Sequence, residues 1–532
     1  MERENAIFAG SRLYRQAKEG SETLLFGLQT KPNPLEPTIK AISNKKSIYL
    51  SETKDSRSNL TTAHAHLRKL SKNISPYIAV PILVQAITDF YYNDFSQKNL
   101  EWLGTALKIA LSFIWKNVHR QNISVSKSVS DLEDVIVAAA VYEQLFFLNE
   151  IHEVYGQGDA ELRGNGFYTT DDNIWRAFQE LYRTFEDRGK AKRSLIDSTQ
   201  VLNLQPAEAL HAIYSVLSGE SPKEQIIFKD TIFELIPESD PPEFWAGLWV
   251  RLLLMIRTFE VRRFVTDNPF GIALFETHAV AYPKGMDSKL IQLASMHTFW
   301  NVAWYKKRIR DTVSNVNNMI VERPLVRVSS ENDLFVTSSI LIADSINWFV
   351  EESIMRYPNR GGVPLSDVVF RKGISESFEI QVRRTLARFL FITGYVNEKG
   401  VWFIEDEDKH FPLVSQQGIP MPGEIDVLAY HPVTYELLVI ECKVLGMPFS
   451  KQKLRNVISK VGKTDEEGFH RKLGKKLDWL KSTDVFSFFP VSQFIGLIVL
   501  DRIMPGMEKG EFGVVNFDIL EKYLAEAYSD FS

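Results

Sequence analysis

Apolar positions recur every three to four residues through most of the first 315 positions of the chain. Residues 140–155, AVYEQLFFLNEIHEVY, show this spacing, which is typical of a helix with one apolar face. Residues 1–60 are more mixed, because prolines interrupt any helix there and residues 45–59 are polar. The pattern therefore predicts a partly irregular N-terminal arm over 1–60 and a helical domain over 61–330.

After about residue 330 the pattern changes to short apolar runs separated by turn residues. These runs predict a hairpin at 395–405 and strands at 425–430, 437–444, 493–501 and 512–517. Amphipathic stretches predict helices at 374–393, 451–482 and 518–528. Strands mixed with helices indicate an α/β domain over 331–532. The expected fold is a mostly α N-terminal region followed by a mixed central sheet flanked by helices.

The charge balance of the chain is ordinary. There are 62 basic and 67 acidic side chains, which give a net charge of -5. A nucleic-acid partner would therefore have to be held by a local basic patch, because the whole chain carries no strong positive field. A hydrophobic content of 45% is sufficient for a large core.

Cys442 is the single cysteine, so the chain can form neither an internal disulfide nor a cysteine-rich zinc site. This composition suits a reducing cytosol. The N-terminus is charged and lacks the apolar core of a signal peptide. Apolar runs such as 135–148 are shorter than the roughly 18 residues that a bilayer span needs. We therefore expect a soluble, cytoplasmic protein with no membrane partner.

Candidate chemistry is concentrated in residues 423–444, GEIDVLAYHPVTYELLVIECKV. The stretch looks like two apolar strands and a turn, yet it contains carboxylates and a lysine. Ionised groups seldom lie within a buried sheet unless they are paired or bind a metal. Because side chains alternate along a strand, Glu441 and Lys443 share one face and Cys442 points the other way.

A short connection predicts that the two strands pair as an antiparallel hairpin. Asp426 and Glu441 could then converge on one point, where a cation would relieve their repulsion. A hard divalent ion such as Mg²⁺ prefers oxygen ligands of this kind, and the carbonyl of Cys442 could add another. Lys443 would reach the same site. There it could position or deprotonate a water molecule, or stabilise charge on a phosphorus transition state.

This pattern, an Asp followed about fifteen residues later by Glu-x-Lys on the next strand, resembles the PD-(D/E)XK phosphodiesterase superfamily. These restriction-endonuclease-like nucleases cut DNA, and occasionally RNA, with Mg²⁺. The resemblance covers about residues 370–500. It implies that Asp426 and Glu441 bind the metal and that Lys443 assists the attacking water. The Pro-Asp dipeptide of the family is absent, since the Asp lies in Gly-Glu-Ile-Asp.

Many members of the superfamily also carry an acidic residue on a helix before the sheet. By resemblance that residue is Glu379, with Glu376 as second choice. The implied metal ligands are Asp426, Glu441, Glu379 and the backbone carbonyl of Cys442, with Mg²⁺ as the cofactor and Mn²⁺ as a substitute. A salt-bridged surface hairpin is the alternative, but the apolar run LLVIECKV is more typical of a central strand.

Basic side chains follow this motif. Residues 451–481 contain ten Lys or Arg against four Asp or Glu. A cationic helix beside an acidic pocket could hold phosphate groups, and Lys475 and Lys476 are the first candidates, followed by Arg471. The alternative is an ordinary solvated helix face.

The leading hypothesis is a Mg²⁺-dependent endonuclease that hydrolyses nucleic acid, with DNA the expected substrate, by attack of a metal-activated water. The helical region would regulate it or recognise a target or protein partner, and a homodimer is left open. A role in restriction or phage defence is an analogy from fold. The alternative is a nuclease-like protein that binds nucleic acid or protein without cleavage.

Overall fold

The computed structural model describes most of residues 2–176 and 368–528, with shorter stretches between them. The described residues are 2–51, 53–92, 102–117, 129–155, 158–172, 174–176, 250–251, 254–255, 258, 271–276, 320, 322–328, 334–346, 368–404, 409–445, 458–461, 468–485, 489–501, 507 and 510–528. They divide into two compact units. Described residues up to 346 belong to the first unit, and those from 368 onward belong to the second.

The first unit is mainly helical. Among the described residues, its helices include α1 Glu2–Thr30, α2 Glu36–Ser43, α3 Thr53–Ser71, α4 Pro76–Tyr92, α5 Leu103–Trp115 and α6 Val129–Tyr155. Its strands are β1 Ile48–Leu50, β2 Ala160–Arg163, β3 Gly166–Thr169, β4 Ile272–Glu276, β5 Val326–Arg327 and β6 Leu334–Ser338. The strands form two small antiparallel sheets, ordered β1-β2-β3 and β4-β6-β5.

Helix α5 forms part of the core of this unit, since every one of its residues is buried. Helix α1 packs on α4 and α6, with Leu24 and Leu28 fully buried. The sequence predicts a partly irregular arm over 1–60, whereas α1 is one long helix built into this core. The first unit also extends beyond residue 330, because β6 pairs with β4. Periodicity alone does not reveal these long-range contacts.

The interior of the first unit holds a buried ion pair. The Nζ atom of Lys108 lies 3.3 Å from a carboxylate oxygen of Asp344, and both side chains are almost fully buried. Glu143 is also buried, and burial raises its pKa well above the ordinary value. The ion pair ties α5 to the segment around residue 344.

Among the described residues, α6 includes a stretch, Val129–Glu153, long and apolar enough to cross a membrane. The bent pair Lys54–Ser71 and Pro76–Tyr91 passes the same composition test when it is taken as one span. In Val129–Glu153, 94% of the most apolar window is buried inside the structure. Such burial is what the core helix of a soluble protein shows, so the structure is compatible with a soluble protein.

The second unit is an α/β unit. Its helices are α7 Val368–Ala387, α8 Phe469–Lys481 and α9 Phe517–Tyr528. Its strands are β7 Ile392–Val396, β8 Val401–Ile404, β9 Lys409–Pro412, β10 Ile425–His431, β11 Glu436–Lys443, β12 Gln493–Leu500 and β13 Gly513–Asn516. They form one mixed sheet in the order β13-β12-β11-β10-β7-β8-β9. The expectation of an α/β C-terminal domain with a mixed sheet is confirmed.

Strand β11 is an interior strand of this sheet. It pairs antiparallel with β10 and parallel with β12, and six consecutive residues, Leu437–Cys442, are buried. A central strand is covered on both faces, which explains why its sequence is apolar almost throughout. The hairpin of β7 and β8, with its turn at residues 397–400, is also confirmed.

Two predicted helices differ from the observed ones. Helix α7 ends at Ala387, where the sequence predicts a helix to 393, because residues 392–396 pair with β10 as strand β7. β-Branched and aromatic residues there fit a pleated sheet better than a helix. Of the predicted basic helix over 451–482, the structure describes residues 458–461 as helical and α8, which begins after the N-cap Gly468.

Gly394 of β7 lies where the sheet leaves no room for a side chain. A Cβ atom at this position would clash with the backbone carbonyl of Phe403 and approach the Trp402 indole. We expect Gly394→Ala to destabilise the second unit by about 2–4 kcal/mol. In the matched control, Gly474→Ala in α8, the new methyl group would find its nearest neighbours 3.7 Å away. The control should gain up to about 1 kcal/mol from helix propensity.

Urea unfolding of the full-length variants, followed by tryptophan fluorescence, measures both changes. Equal unfolding midpoints for Gly394→Ala and the unsubstituted protein would contradict the close packing of Gly394 against Phe403.

Candidate active site

The β10–β11 hairpin places the predicted acidic residues opposite each other. Val427 pairs with Ile440 in the antiparallel register, so the next positions outward are Asp426 and Glu441. Directly opposite residues of an antiparallel pair project from the same face. Lys443 lies two positions further along β11 and shares that face. The hairpin therefore presents two carboxylates and one amine together.

Three oxygen atoms surround the ammonium group of Lys443. Its Nζ donates to Oδ2 of Asp426 at 2.9 Å and to the carbonyl oxygen of Cys442 at 2.8 Å. It also lies 2.8 Å from Oε1 of Glu441. The backbone N–H of Cys442 donates to the same Oδ2 of Asp426 at 2.8 Å. The structure thus brings together Asp426, Glu441, Lys443 and the carbonyl that the sequence singles out.

A second lysine reaches the site from helix α8. The Nζ of Lys476 contacts the other carboxylate oxygen of Glu441, and the two side chains are only 8% and 5% exposed. The sequence predicts Lys476 as a phosphate contact on the surface of the helix. In the structure it is buried instead, and the carboxylate of Glu441 bridges two ammonium groups.

The electrostatics of the site keep these groups charged. Burial works to raise the pKa of Glu441, but the positive charges of Lys443 and Lys476 outweigh it and lower that pKa. Burial works to lower the pKa of Lys443, but Asp426 and Glu441 outweigh it and raise that pKa. At neutral pH Glu441 is therefore ionised and Lys443 is protonated.

Glu379 lies on α7, within electrostatic reach of this cluster. Burial, and then the negative charge of Asp426, raise the pKa of Glu379 to about 8, while Lys443 and Arg383 act in the opposite direction. Glu376, the second choice from sequence, is exposed. A cation bound near Asp426 would therefore favour the ionised form of Glu379. Glu379 is for this reason the acidic residue of α7 that suits the site.

The donor atoms of the site suit a hard divalent cation. Among the described residues, no three His, Cys, Asp or Glu side chains form a ready metal-binding group. The oxygens that converge here come from two carboxylates and one backbone carbonyl, the ligand types that Mg²⁺ prefers. The ammonium of Lys443 already lies among them as a cation. The residues therefore fit a divalent cation, which would compete with that ammonium group.

Two further residues fix the backbone around the site, and neither is among the site residues predicted from the sequence. Arg383 of α7 donates to the backbone carbonyl of Asp426 at 3.1 Å. Asp501, directly after β12, accepts the N–H of Leu445 at 2.7 Å, and its own N–H donates to the carbonyl of Lys443 at 3.2 Å. An available signal was the position of Asp501 at the end of the apolar run FIGLIVL, since parallel strands end at the same sheet edge.

The burial of Lys476 also has a signal in the sequence. Leu473, Leu477 and Leu480 form the apolar stripe of α8 at helical spacing, and all three are buried. Lys476 falls within that stripe. A lysine on the buried side of an amphipathic helix needs an anionic partner, which here is Glu441.

The exposed face of α8 is basic. Arg471, Lys472, Lys475 and Lys481 are exposed there, with Asp478 as the opposing charge. The candidates Arg471 and Lys475 therefore lie where a phosphate backbone could contact them. The nearby His470 is buried, accepts the N–H of Phe512 at 3.1 Å and stacks on that ring, which makes it a packing residue.

The fold and the site together define an α/β protein whose central sheet carries a cluster of carboxylates and lysines. In comparisons with known protein families, curated proteins and solved structures, nothing matches this chain.

Proposed function

We propose that this protein is a metal-dependent nuclease that hydrolyses phosphodiester bonds, with DNA as the expected substrate. The convergence of two carboxylates and a backbone carbonyl on the ammonium of Lys443 carries this proposal. Oxygen donors gathered at one point could hold a divalent cation of the kind that assists phosphodiester hydrolysis, with Lys443 beside it. Likeness of the motif to the PD-(D/E)XK superfamily supports the same reaction.

Asp426, Glu441 and the carbonyl of Cys442 would hold the divalent cation, and Glu379 would complete the set. Mg²⁺ is the expected ion, with Mn²⁺ as a substitute. When bound, the ion supplies Lewis-acid activation of water and neutralises charge on the phosphate. Arg383 and Asp501 would hold the backbone near Asp426 and Lys443 in the position that cation binding needs.

Lys443 would act on the reacting phosphate. Its side chain is 32% exposed, whereas those of Asp426 and Glu441 are 12% and 5% exposed. Because the two carboxylates raise its pKa, Lys443 is protonated at neutral pH. A protonated amine cannot accept the proton of water. The protonated Lys443 can orient the attacking water by hydrogen bonding and can stabilise negative charge that develops on the phosphate oxygens.

The first unit would regulate the nuclease or recognise its target or a protein partner. An intracellular nuclease needs control, and a large helical unit in the same chain could provide it. A place in restriction or antiviral defence is the biological setting we propose, by analogy with nucleases of similar organisation.

A second candidate function is binding of nucleic acid without cleavage. The closed network of Asp426, Lys443, Glu441 and Lys476 favours it, because these groups already satisfy one another without a metal. The exposed basic residues of α8 would then supply affinity alone.

A cleavage assay separates the two candidates. The full-length protein is incubated with plasmid and with single-stranded DNA or RNA, in Mg²⁺, in Mn²⁺ and in a chelator. The nuclease proposal predicts products in either metal and none in the chelator. Retarded but uncut nucleic acid in every metal condition would instead support the non-cleaving protein.

A further inference from the structure

An ordered apolar loop leads into the strand that carries Asp426. Residues 418–423, Gly-Ile-Pro-Met-Pro-Gly, form this loop, which we call the apolar loop. Ile419 is 48% exposed, and Pro420 and Pro422 are also exposed. Three exposed apolar residues within four positions form a contiguous apolar patch, and a contiguous patch is the kind of exposed apolar surface that marks an interaction site. The apolar loop ends three positions before Asp426.

Hydrogen bonds hold the start of the apolar loop and the residues just before it. The indole N–H of Trp479 on α8 donates to the carbonyl oxygen of Ile419 at 2.9 Å. Just before the loop, the N–H of Gln416 donates to the carbonyl of Ser482 at 2.8 Å. Glycines bound it with positive φ angles, 67° at Gly418 and 119° at Gly423. Because the loop is already ordered, little conformational entropy would be lost when it inserts into a partner.

Helix α8 joins the apolar loop to the site and to positive charge. Trp479, which anchors the loop, lies one helical turn from Lys476, which contacts Glu441. Residues three or four apart on a helix are neighbours. The exposed Lys475 is four positions before Trp479, so it is the helical neighbour of the residue that anchors the loop. The apolar loop is suited to contact stacked bases, and Lys475 is suited to contact backbone phosphates. Both lie close in sequence to residues of the proposed nuclease site.

We infer that the apolar loop is a wedge that inserts Ile419 between stacked bases of duplex DNA while Lys475 contacts the backbone phosphates. Small apolar side chains and proline are the groups that proteins insert between base steps. The insertion would unstack bases beside the bond presented to Asp426 and Glu441. This inference rests on the proposed function and specifies how the same site engages its substrate.

The two contacts should respond differently to salt. Phosphate contacts release counterions, so Lys475→Ala should lower the slope of log affinity against log salt by about one. Insertion of Ile419 is an apolar contact, so Ile419→Ala should weaken binding about tenfold and leave that slope unchanged. The two variants are therefore distinguished in one salt titration, because Lys475→Ala changes the slope and Ile419→Ala changes only the affinity.

The test uses the full-length protein in chelator, so that cleavage does not interfere, and a DNA duplex with a central 2-aminopurine. Anisotropy of an end label reports affinity over a salt series, and 2-aminopurine fluorescence reports unstacking. The unsubstituted protein should raise that fluorescence, whereas Ile419→Ala should lose the rise. The matched control is Ile519→Ala on α9, where the isoleucine is 53% exposed and remote in sequence from the loop. It should behave as the unsubstituted protein does.

The inference is overturned if Ile419→Ala equals the Ile519→Ala control in affinity and fluorescence, or if the unsubstituted protein does not bind the duplex. Thermal melting of each variant shows whether the fold is retained. Cleavage with Mg²⁺ is measured separately. If the protein binds and unstacks the duplex but does not cut it, the nuclease proposal is rejected and the wedge proposal stands. If Ile419→Ala leaves cleavage unaffected, the wedge proposal alone is rejected.

Discussion

Glu441→Ala should reduce Mg²⁺-dependent cleavage by about 10³-fold or more, and it should also lower stability, because it leaves Lys476 buried without its carboxylate partner. Glu441 would supply one carboxylate to the cation, and its oxygens contact both Lys443 and Lys476. Removal of the side chain therefore deletes a ligand and releases the lysine that faces the phosphate. Asp426→Ala should have an effect of the same order, because Asp426 is the other carboxylate at the ammonium of Lys443.

The matched control is Glu424→Ala. Glu424 has the same charge and lies on the same chain segment, two positions before Asp426, but its side chain is exposed. We expect this variant to cut at the unsubstituted rate. Glu441→Gln is the second variant, since it keeps the shape of the side chain and removes its charge. Initial rates on labelled duplex DNA, with circular dichroism melts for each protein, provide the measurement. Undiminished Mg²⁺-dependent cutting by folded Glu441→Ala would reject the assignment.

Lys476→Met should make the stability of the second unit depend strongly on metal. The substitution leaves the buried carboxylate of Glu441 with Lys443 as its remaining ammonium contact. Loss of one partner from a buried ion pair costs about 3–5 kcal/mol, and the remaining lysine should reduce this to about 2–4 kcal/mol. A divalent cation bound at Glu441 would replace the missing positive charge. Added Mg²⁺ or Mn²⁺ should therefore restore stability more in the variant than in the unsubstituted protein.

Urea unfolding with and without metal measures this linkage without reference to activity. Lys522→Met is the control, because Lys522 lies on α9 with a side chain that is 78% exposed. The control should unfold as the unsubstituted protein does in both conditions. An equal response to metal in Lys476→Met and Lys522→Met would show that Lys476 does not influence cation binding.

The local arrangement of the site could be predicted from sequence. Alternation along a strand is a property of the extended backbone, so Glu441 and Lys443 had to share a face. A turn of a few residues made an antiparallel hairpin the expected pairing, which in the structure places Asp426 and Glu441 on one face. The apolar run around Glu441 likewise indicated a central strand, and β11 lies between β10 and β12.

The partners from elsewhere in the chain could not be predicted in the same way. Lys476 was expected on the surface of its helix, but α8 packs its leucine stripe on the sheet and turns Lys476 toward Glu441, 35 positions earlier. The N-terminal segment was expected to be partly irregular, yet packing against α4 and α6 makes α1 a core helix. The C-terminal end of α7 was set by sheet pairing at residues 392–396 rather than by helical periodicity.

By itself, then, the sequence determined the hairpin, the face that its charged residues share and the α/β character of the second unit. Those features follow from backbone geometry and burial within about twenty residues of chain. Only the tertiary structure decided that Lys476 contacts Glu441 and that Arg383 and Asp501 hold the backbone of the site. Contacts of this kind depend on how whole helices dock on a sheet, and that docking is set by the packing of many distant side chains at once.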